Sequence, residues 1–152
     1  MHTETRNAFD YVTYIRSTPE GVWAALTDPA ANAKFWFGCQ QKSEWKPGSP
    51  WQLLFENGGV VDVGEVLEAD PGKRLVLKWR NEWNPELKAE GYSRCTITLE
   101  PQSTAVKVTL NHVVEGPGPK LIQAFSAAWP MVLSNLKSLL ESGSIALSSY
   151  KN

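Results

Sequence analysis

At 152 residues the chain is long enough for one domain with a sizeable core. Fifteen basic against sixteen acidic residues give a net charge of −1, which argues against a nucleic-acid or membrane-surface partner. Charged residues make up only 20% of the chain while tryptophan occurs seven times, so an aromatic-rich interior is expected. Cys39 and Cys95 are far apart with no metal-type spacing and read as buried, reduced thiols. Met1 to Asn7 is polar with no apolar h-region of a secretion signal. No apolar run approaches the ~20 residues of a membrane span. The expected location is the cytoplasm, and the expected organisation is a single domain over 1–152 with its core at about 8–142.

Phe9 to Ile15 alternates in the manner of a strand. Thr18-Pro19-Glu20 opens a short helix with Thr18 as cap and Pro19 at its first position, and Asp28-Pro29 stops it. A second short helix is predicted from about Ala30 to Phe37, ended by Gly38 and carrying Phe35-Trp36-Phe37. From Ser43 the period becomes two. Trp51, Leu53 and Phe55 share a strand face; Asn57-Gly58-Gly59 is a hairpin turn; Val60 to Ala69 is a long strand. After the Pro71-Gly72 turn, Leu75, Leu77 and Trp79 line a face. Asn81 to Gly91 reads as a polar loop. Tyr92 to Leu99 follows with Cys95, Ile97 and Leu99 on one side, and Pro101 to Thr104 turns the chain. Val106, Val108, Leu110, His112 and Val114 then alternate with polar residues.

Pro119 to Glu141 is a helix of about six turns ending at Gly143. Leu121, Ile122, Phe125, Trp129, Val132, Leu133, Leu136, Leu139 and Leu140 form one apolar stripe. Gln123, Ser134, Asn135, Lys137, Ser138 and Glu141 fall mostly off it. Pro130 removes the hydrogen bond to the Ser126 carbonyl and is expected to kink the helix. Hairpin-linked strands with segregated helices argue an antiparallel α+β fold. The economical packing is a helix-grip domain, a curved sheet of about six or seven strands around the long last helix.

Three segments together resemble the START-like (SRPBCC) superfamily, whose helix-grip members include the birch-pollen allergen. Residues Thr18 to Pro29 resemble its first-helix segment and Gly64 to Trp79 its strand–turn–strand signature. Residues Trp129 to Glu141 resemble the last helix of one branch, the homologues of the activator of the heat-shock-protein-90 ATPase. Pro130 looks like a feature of that branch, and Ala128 departs from the glycine often found before the tryptophan. The resemblance implies a cavity between sheet and final helix, and a chaperone-related, stress-response setting for some members. Fold analogy alone does not name a function.

No HExxH, GxSxG, CxxC or phosphate-cradling loop is present, so neither a metal site, a cofactor nor a catalytic residue is assigned, and the chain is read as leaning away from enzyme. His112 shares the inward parity of Val106, Val108 and Leu110. It could anchor a polar ligand group or move a proton; the preferred reading is a histidine hydrogen-bonded at the end of a core strand. Along Val60 to Glu68, one parity points Asp62, Gly64 and Val66 inward and the other Val61, Val63, Glu65 and Leu67. A bulge near Gly64 would switch between them, and carboxylates splayed to solvent are the preferred outcome.

The residues assigned to a ligand cavity are Tyr11, Trp36, Trp51, Phe55, Trp79, His112, Phe125, Trp129 and Leu133. Phe35 and Phe37 are further candidates for its walls. The alternative is an aromatic core with no usable void. Trp45 and Trp83 sit in loops suited to rim an entrance or an interface. The leading functional expectation is a module binding a small apolar or aromatic ligand. A chaperone-regulating or other protein-interaction domain is the second, marked by an exposed apolar patch. A cyclase-like or hydrolase-like enzyme using His112 with Asp62 or Glu65 is the third. Homodimerisation through a sheet edge or the last helix stays open.

Overall fold

The computed structural model describes residues 7–150; Met1–Arg6, including His2 and nearly all of the stretch read for a secretion signal, lie outside the described residues, as do 151–152. Strand β1 (Ala8–Ile15) leads into helices α1 (Pro19–Thr27) and α2 (Pro29–Phe35). Strands β2 (Gln40–Ser43), β3 (Pro50–Leu54), β4 (Val60–Asp70) and β5 (Arg74–Asn81) follow. A short helix α3 (Pro85–Lys88), strands β6 (Ser93–Gln102) and β7 (Ala105–Val114), and the long helix α4 (Pro119–Ser142) complete the chain. The seven strands form one antiparallel sheet in the order β1-β7-β6-β5-β4-β3-β2. The two short helices carry the chain from one sheet edge to the other. From β2 each strand then pairs with the next until β7 closes on β1. This is the expected α+β helix-grip fold.

Asp28 both ends α1, through its N–H to the Ala24 carbonyl, and caps α2, its carboxylate accepting from Ala30 N at 3.3 Å. The second helix is therefore shorter than expected, with Trp36 outside it and Phe37 and Gly38 at positive φ of 52° and 85°. Two buried amides finish the bracket. Asn32 Nδ2 donates to the Ala25 and Leu26 carbonyls at 3.0 and 3.1 Å, and Gln41 Nε2 donates to Leu26 O at 2.7 Å. These satisfy carbonyls that any helix end leaves orphaned. The strand β2 holding Gln41 is too polar to announce itself.

Three other local expectations are corrected. Strand β6 runs through Pro101 to Gln102, so the turn to β7 is the pair Ser103-Thr104, with Ser103 at φ 56°. The polar loop after β5 contains α3, whose N-cap is Asn84. Its Glu90 supplies the carboxylate that α4 lacks at its own start, accepting from Leu121 N at 2.8 Å. Asn135, placed off the apolar stripe of α4, is fully buried. It donates to the Phe35 carbonyl and pairs with both backbone groups of Leu147, tying α2 and the C-terminal strap to the helix. Helix α4 itself continues through Pro130.

The parity of β4 is settled by its neighbours. Asp62, Gly64 and Val66 stand opposite Asn81, Trp79 and Leu77 on the inner face, while Glu65 is exposed. The expectation of carboxylates splayed to solvent therefore fails for Asp62, which is buried. The register shifts lie at Leu53/Leu54 and at Val66/Glu68, not at Gly64. Gly64 serves close approach instead, since a Cβ there would sit 1.7 Å from the Lys78 carbonyl oxygen. Gly64→Ala is predicted to lower stability by more than about 2 kcal/mol, because neither strand backbone can yield without losing ladder hydrogen bonds. A urea-denaturation midpoint within error of wild type would contradict this.

Candidate functional site

Strand alternation and the stripe on α4 bring rings from several elements to one place. Trp79 on β5 is the hub: its centroid lies 4.3 Å from Trp51 (β3), 5.2 Å from His112 (β7) and 5.8 Å from Trp129 (α4). Phe125 of α4 stacks on His112 at 3.6 Å with the planes 18° apart. Trp36 closes the group from the end of α2, 5.3 Å from Trp129 and 6.3 Å from Trp79. Gly64 explains the first contact. It pairs with Trp51 on one side and Trp79 on the other, so the two indoles meet across a strand position with no side chain.

Three buried indole N–H groups differ in their partners. Trp51 Nε1 donates to Gln41 Oε1 at 3.0 Å, and Trp129 Nε1 donates to His112 Nδ1 at 3.1 Å. Trp79 Nε1 has no partner among the described residues. An indole can only donate, so His112 Nδ1 must be the acceptor and the ring proton sits on Nε2, 2.7 Å from Ser93 Oγ. Ser93 in turn donates to the Trp79 carbonyl at 3.4 Å. Burial pushes the His112 pKa down to about 3, so the ring is neutral with both nitrogens engaged. That is the preferred hydrogen-bonded reading of His112, and it leaves the ring no free position for proton transfer.

Asp62 has the opposite problem. Burial pushes its carboxyl up to about 7, opposed by the nearby Trp79 indole and by the Asn81 amide, which donates to Oδ1 at 3.0 Å. The Trp79 N–H favours the charged carboxylate without closing a hydrogen bond of normal geometry. Cys39, half-buried nearby, is held up at about 11 by burial and by the Asp62 charge. Cys39 and Cys95 are unpaired. No group of three His, Cys, Asp or Glu able to hold a metal occurs among the described residues.

The structure brings together six of the nine assigned cavity residues: Trp36, Trp51, Trp79, His112, Phe125 and Trp129. Leu133 is buried on the same helix face, whereas Tyr11 stacks on Phe9 at the β1 edge with a 6.2 Å centroid distance. Phe55 lies elsewhere. Strand β3 ends at Leu54, and the Phe55 N–H closes the hairpin turn onto Gly59 O. Its ring, 37% exposed, packs edge-on against Trp83, itself 57% exposed. The expectation that Phe55 continues the inner face of Trp51 and Leu53 is thus corrected, the register shift after Leu53 being the cause. Asp62 is named in the sequence only as a candidate acid beside His112, with Glu65 as its alternative, and Ser93 and Asn81 are not singled out there. Only the parity of β4 could have indicated Asp62, and nothing local indicated Ser93.

Two surface grooves flank this interior. One of about 450 Å³ lies by β2 and is lined in part by Thr27, Gln41 and Trp45. The other, of about 650 Å³, is lined by Phe37, Phe55, Glu56 and Asn57 at the tip of the β3–β4 hairpin. Phe37 adjoins Trp36, and Asp62 pairs with Leu53, two residues before Phe55. The second groove is thus lined by chain neighbours of the aromatic group, none of the rings gathered on Trp79 being among its lining residues.

A curved antiparallel sheet gripping one amphipathic helix, with an aromatic interior between them, defines a START-like helix-grip protein. The chain belongs to the family described as Activator of Hsp90 ATPase homolog 1-like protein, whose model matches residues 16–141. A comparison with curated proteins gave no match. Among solved structures, a protein from Mesorhizobium loti is similar at 23% identity, TM-score 0.76, covering 91% of this chain and 99% of its own. The Aha1 dimer from Colwellia psychrerythraea is similar at 20% identity, TM-score 0.72, over 90% and 97%. An HSP90 activator from Plasmodium falciparum is similar at 21% identity, TM-score 0.68, over 88% and 95%.

The two buried titrating groups act on stability with opposite sign. Asp62, raised in the fold, contributes stability present below about pH 4 and lost as pH rises through about 7. His112, depressed in the fold, contributes stability present above about pH 6.5 and lost as pH falls toward about 3. Asp62→Asn is predicted to gain thermal stability relative to wild type on going from pH 5 to pH 8. Parallel melting-temperature profiles for the two proteins would contradict the buried-acid assignment.

Proposed function

We propose that this chain is a binding module that takes a small apolar or aromatic molecule against the ring group between sheet and α4. The observation that carries this reading is the convergence of rings from α4, β3, β5, β7 and the end of α2 on Trp79, whose buried N–H is unpartnered. Aromatic walls with a few polar groups, some of perturbed pKa, are the usual composition of small-molecule sites. Trp36 and Phe125 are only half-buried, so they are the rings an incoming molecule displaces most cheaply. Trp36 also stands outside α2, next to the positive-φ pair Phe37 and Gly38. The binding unit comprises residues 8–142, and two unpaired thiols suit the reducing cytoplasm. His112 serves the module as a positioning group for Trp129 rather than as an acid or base.

Native mass spectrometry of the protein as purified, followed by tryptophan-fluorescence titration with apolar and aromatic compounds, tests this. A co-purifying small molecule, or saturable quenching that weakens in Phe125→Ala, is expected. An empty protein with flat titrations would overturn it.

A second reading, interaction with a protein partner, is favoured by the exposed pair Phe55 and Trp83 with Val60 beside it. Similar solved structures include an HSP90 activator and an Aha1 dimer. On this reading, homodimerisation or capture of a chaperone uses that patch. Trp83→Ser is then predicted to reduce self-association or chaperone binding at least fivefold, measured by sedimentation and by calorimetry with purified Hsp90. Unchanged values would remove the patch from the interface.

A further inference from the structure

Aromatic walls accept any apolar molecule of suitable shape, so selection among ligands falls to the polar groups at the floor. Two such groups stand together on the inner face. Asp62 and Gly64 of β4 are opposite Asn81 and Trp79 of β5, which sets the Asp62 carboxyl beside the Trp79 indole. Trp79 Nε1 is buried and unpartnered, unlike the indoles of Trp51 and Trp129. A buried donor without an acceptor bears its full desolvation cost until something supplies one. Among the described residues Asp62 receives one hydrogen bond of normal geometry, from Asn81 Nδ2 to Oδ1.

We infer that Trp79 Nε1 and the Asp62 carboxyl form a two-donor site for one uncharged oxygen acceptor, so that the ligand is an aromatic molecule bearing a carbonyl. This rests on the proposed aromatic binding site and names the chemistry that site selects. Asp62 donates only while protonated, which burial favours below about pH 7. The groups facing it keep it so. Glu82, just after β5, is an anion paired with Arg80 and Lys88 and therefore opposes ionisation of Asp62. The Cys39 thiol, before β2, is neutral, and Asn81 and Trp79 carry no charge. No cation is paired with Asp62 among the described residues, so a carboxylate ligand would lose its hydration without compensation. A ketone, aldehyde or quinone oxygen has no such penalty.

Calorimetric titration with two molecules of one shape, 2-acetylnaphthalene and 2-ethylnaphthalene, at pH 6 and pH 8.5 tests the inference. At pH 6 the ketone is expected to bind about tenfold more tightly than the hydrocarbon. At pH 8.5 that advantage shrinks in the wild type, because an ionised Asp62 repels the carbonyl oxygen. It persists at both pH values in Asp62→Asn, whose amide still donates, and falls in Trp79→Phe. Equal affinity of the two compounds for the wild type at pH 6 would overturn the donor pair while leaving the aromatic site standing. Binding of neither would overturn the aromatic site and the inference with it. If Trp79→Phe does not fold, the wild-type ratio at the two pH values decides alone.

Discussion

The hydrogen bond from the Trp129 indole to His112 is the contact on which the helix grip depends. It joins α4 to the sheet at a point where everything else is apolar and non-directional. Hydrophobic burial holds the helix down but does not choose its rotation or its position along the sheet. A donor that must find one particular nitrogen does choose. His112 is fixed from its other side by Ser93, and Ser93 by the Trp79 carbonyl, so one polar chain runs from α4 through β7 and β6 to β5. Phe125, one turn before Trp129, stacks on the same imidazole and adds area to the fixed geometry. A charged imidazole would break this arrangement, since Nδ1 must remain an acceptor.

The same interior holds a second polar feature that is not resolved internally. Asp62 sits among aromatic rings with one amide partner and no counter-ion, and Trp79 beside it keeps an idle N–H. A core selected for stability alone would accommodate a leucine or valine at such a position with less conflict. The His112 chain is satisfied at both ring nitrogens; at the Asp62 end the Trp79 N–H is without a hydrogen bond among the described residues. Incomplete satisfaction within a well-packed core is where physical reasoning looks for a ligand, because a ligand is what would complete it.

The sequence made the frame legible and the polar interior opaque, for one physical reason. The stripe on α4, the alternation of β5 and β7, the Thr18 cap and the Asp28-Pro29 stop are periodic or local signals, and each stands where expected. Six of nine proposed cavity residues meet because strand parity carries Trp51, Trp79 and His112 inward, the stripe on α4 carries Phe125 and Trp129, and the turn leaving α2 carries Trp36. Phe55 fails because a register shift after Leu53 is invisible locally. Asn135 fails for a different reason, and the buried amide of Gln41 is equally unannounced. An amide on a short polar strand or on a helix reads as solvent-facing, and only tertiary contact reveals that it serves buried carbonyls of another element. Asp62 was left undecided because both parities of β4 carry a carboxylate. Its neighbours decide, through the pairing of Gly64 with Trp51 and Trp79.

Gly64 links the frame to the chemistry. Its missing side chain lets two indoles meet at 4.3 Å across β4 and lets the β5 backbone approach the strand. Without that approach Trp79 would not lie beside Asp62, and the donor pair would separate. At the other end of the group, the chain leaves α2 through Phe37 and Gly38, both left-handed, and this swings Trp36 over Trp79 and Trp129. Left-handed backbone at a phenylalanine is strained, and strain of this kind persists where surrounding contacts hold it. Those contacts are modest: Phe37 meets Tyr150 of the C-terminal strap, and Glu56 leans on Gly38. The wall carrying Trp36 is thus the least firmly held side of the aromatic group, and Phe37 beside it lines the groove shared with Phe55.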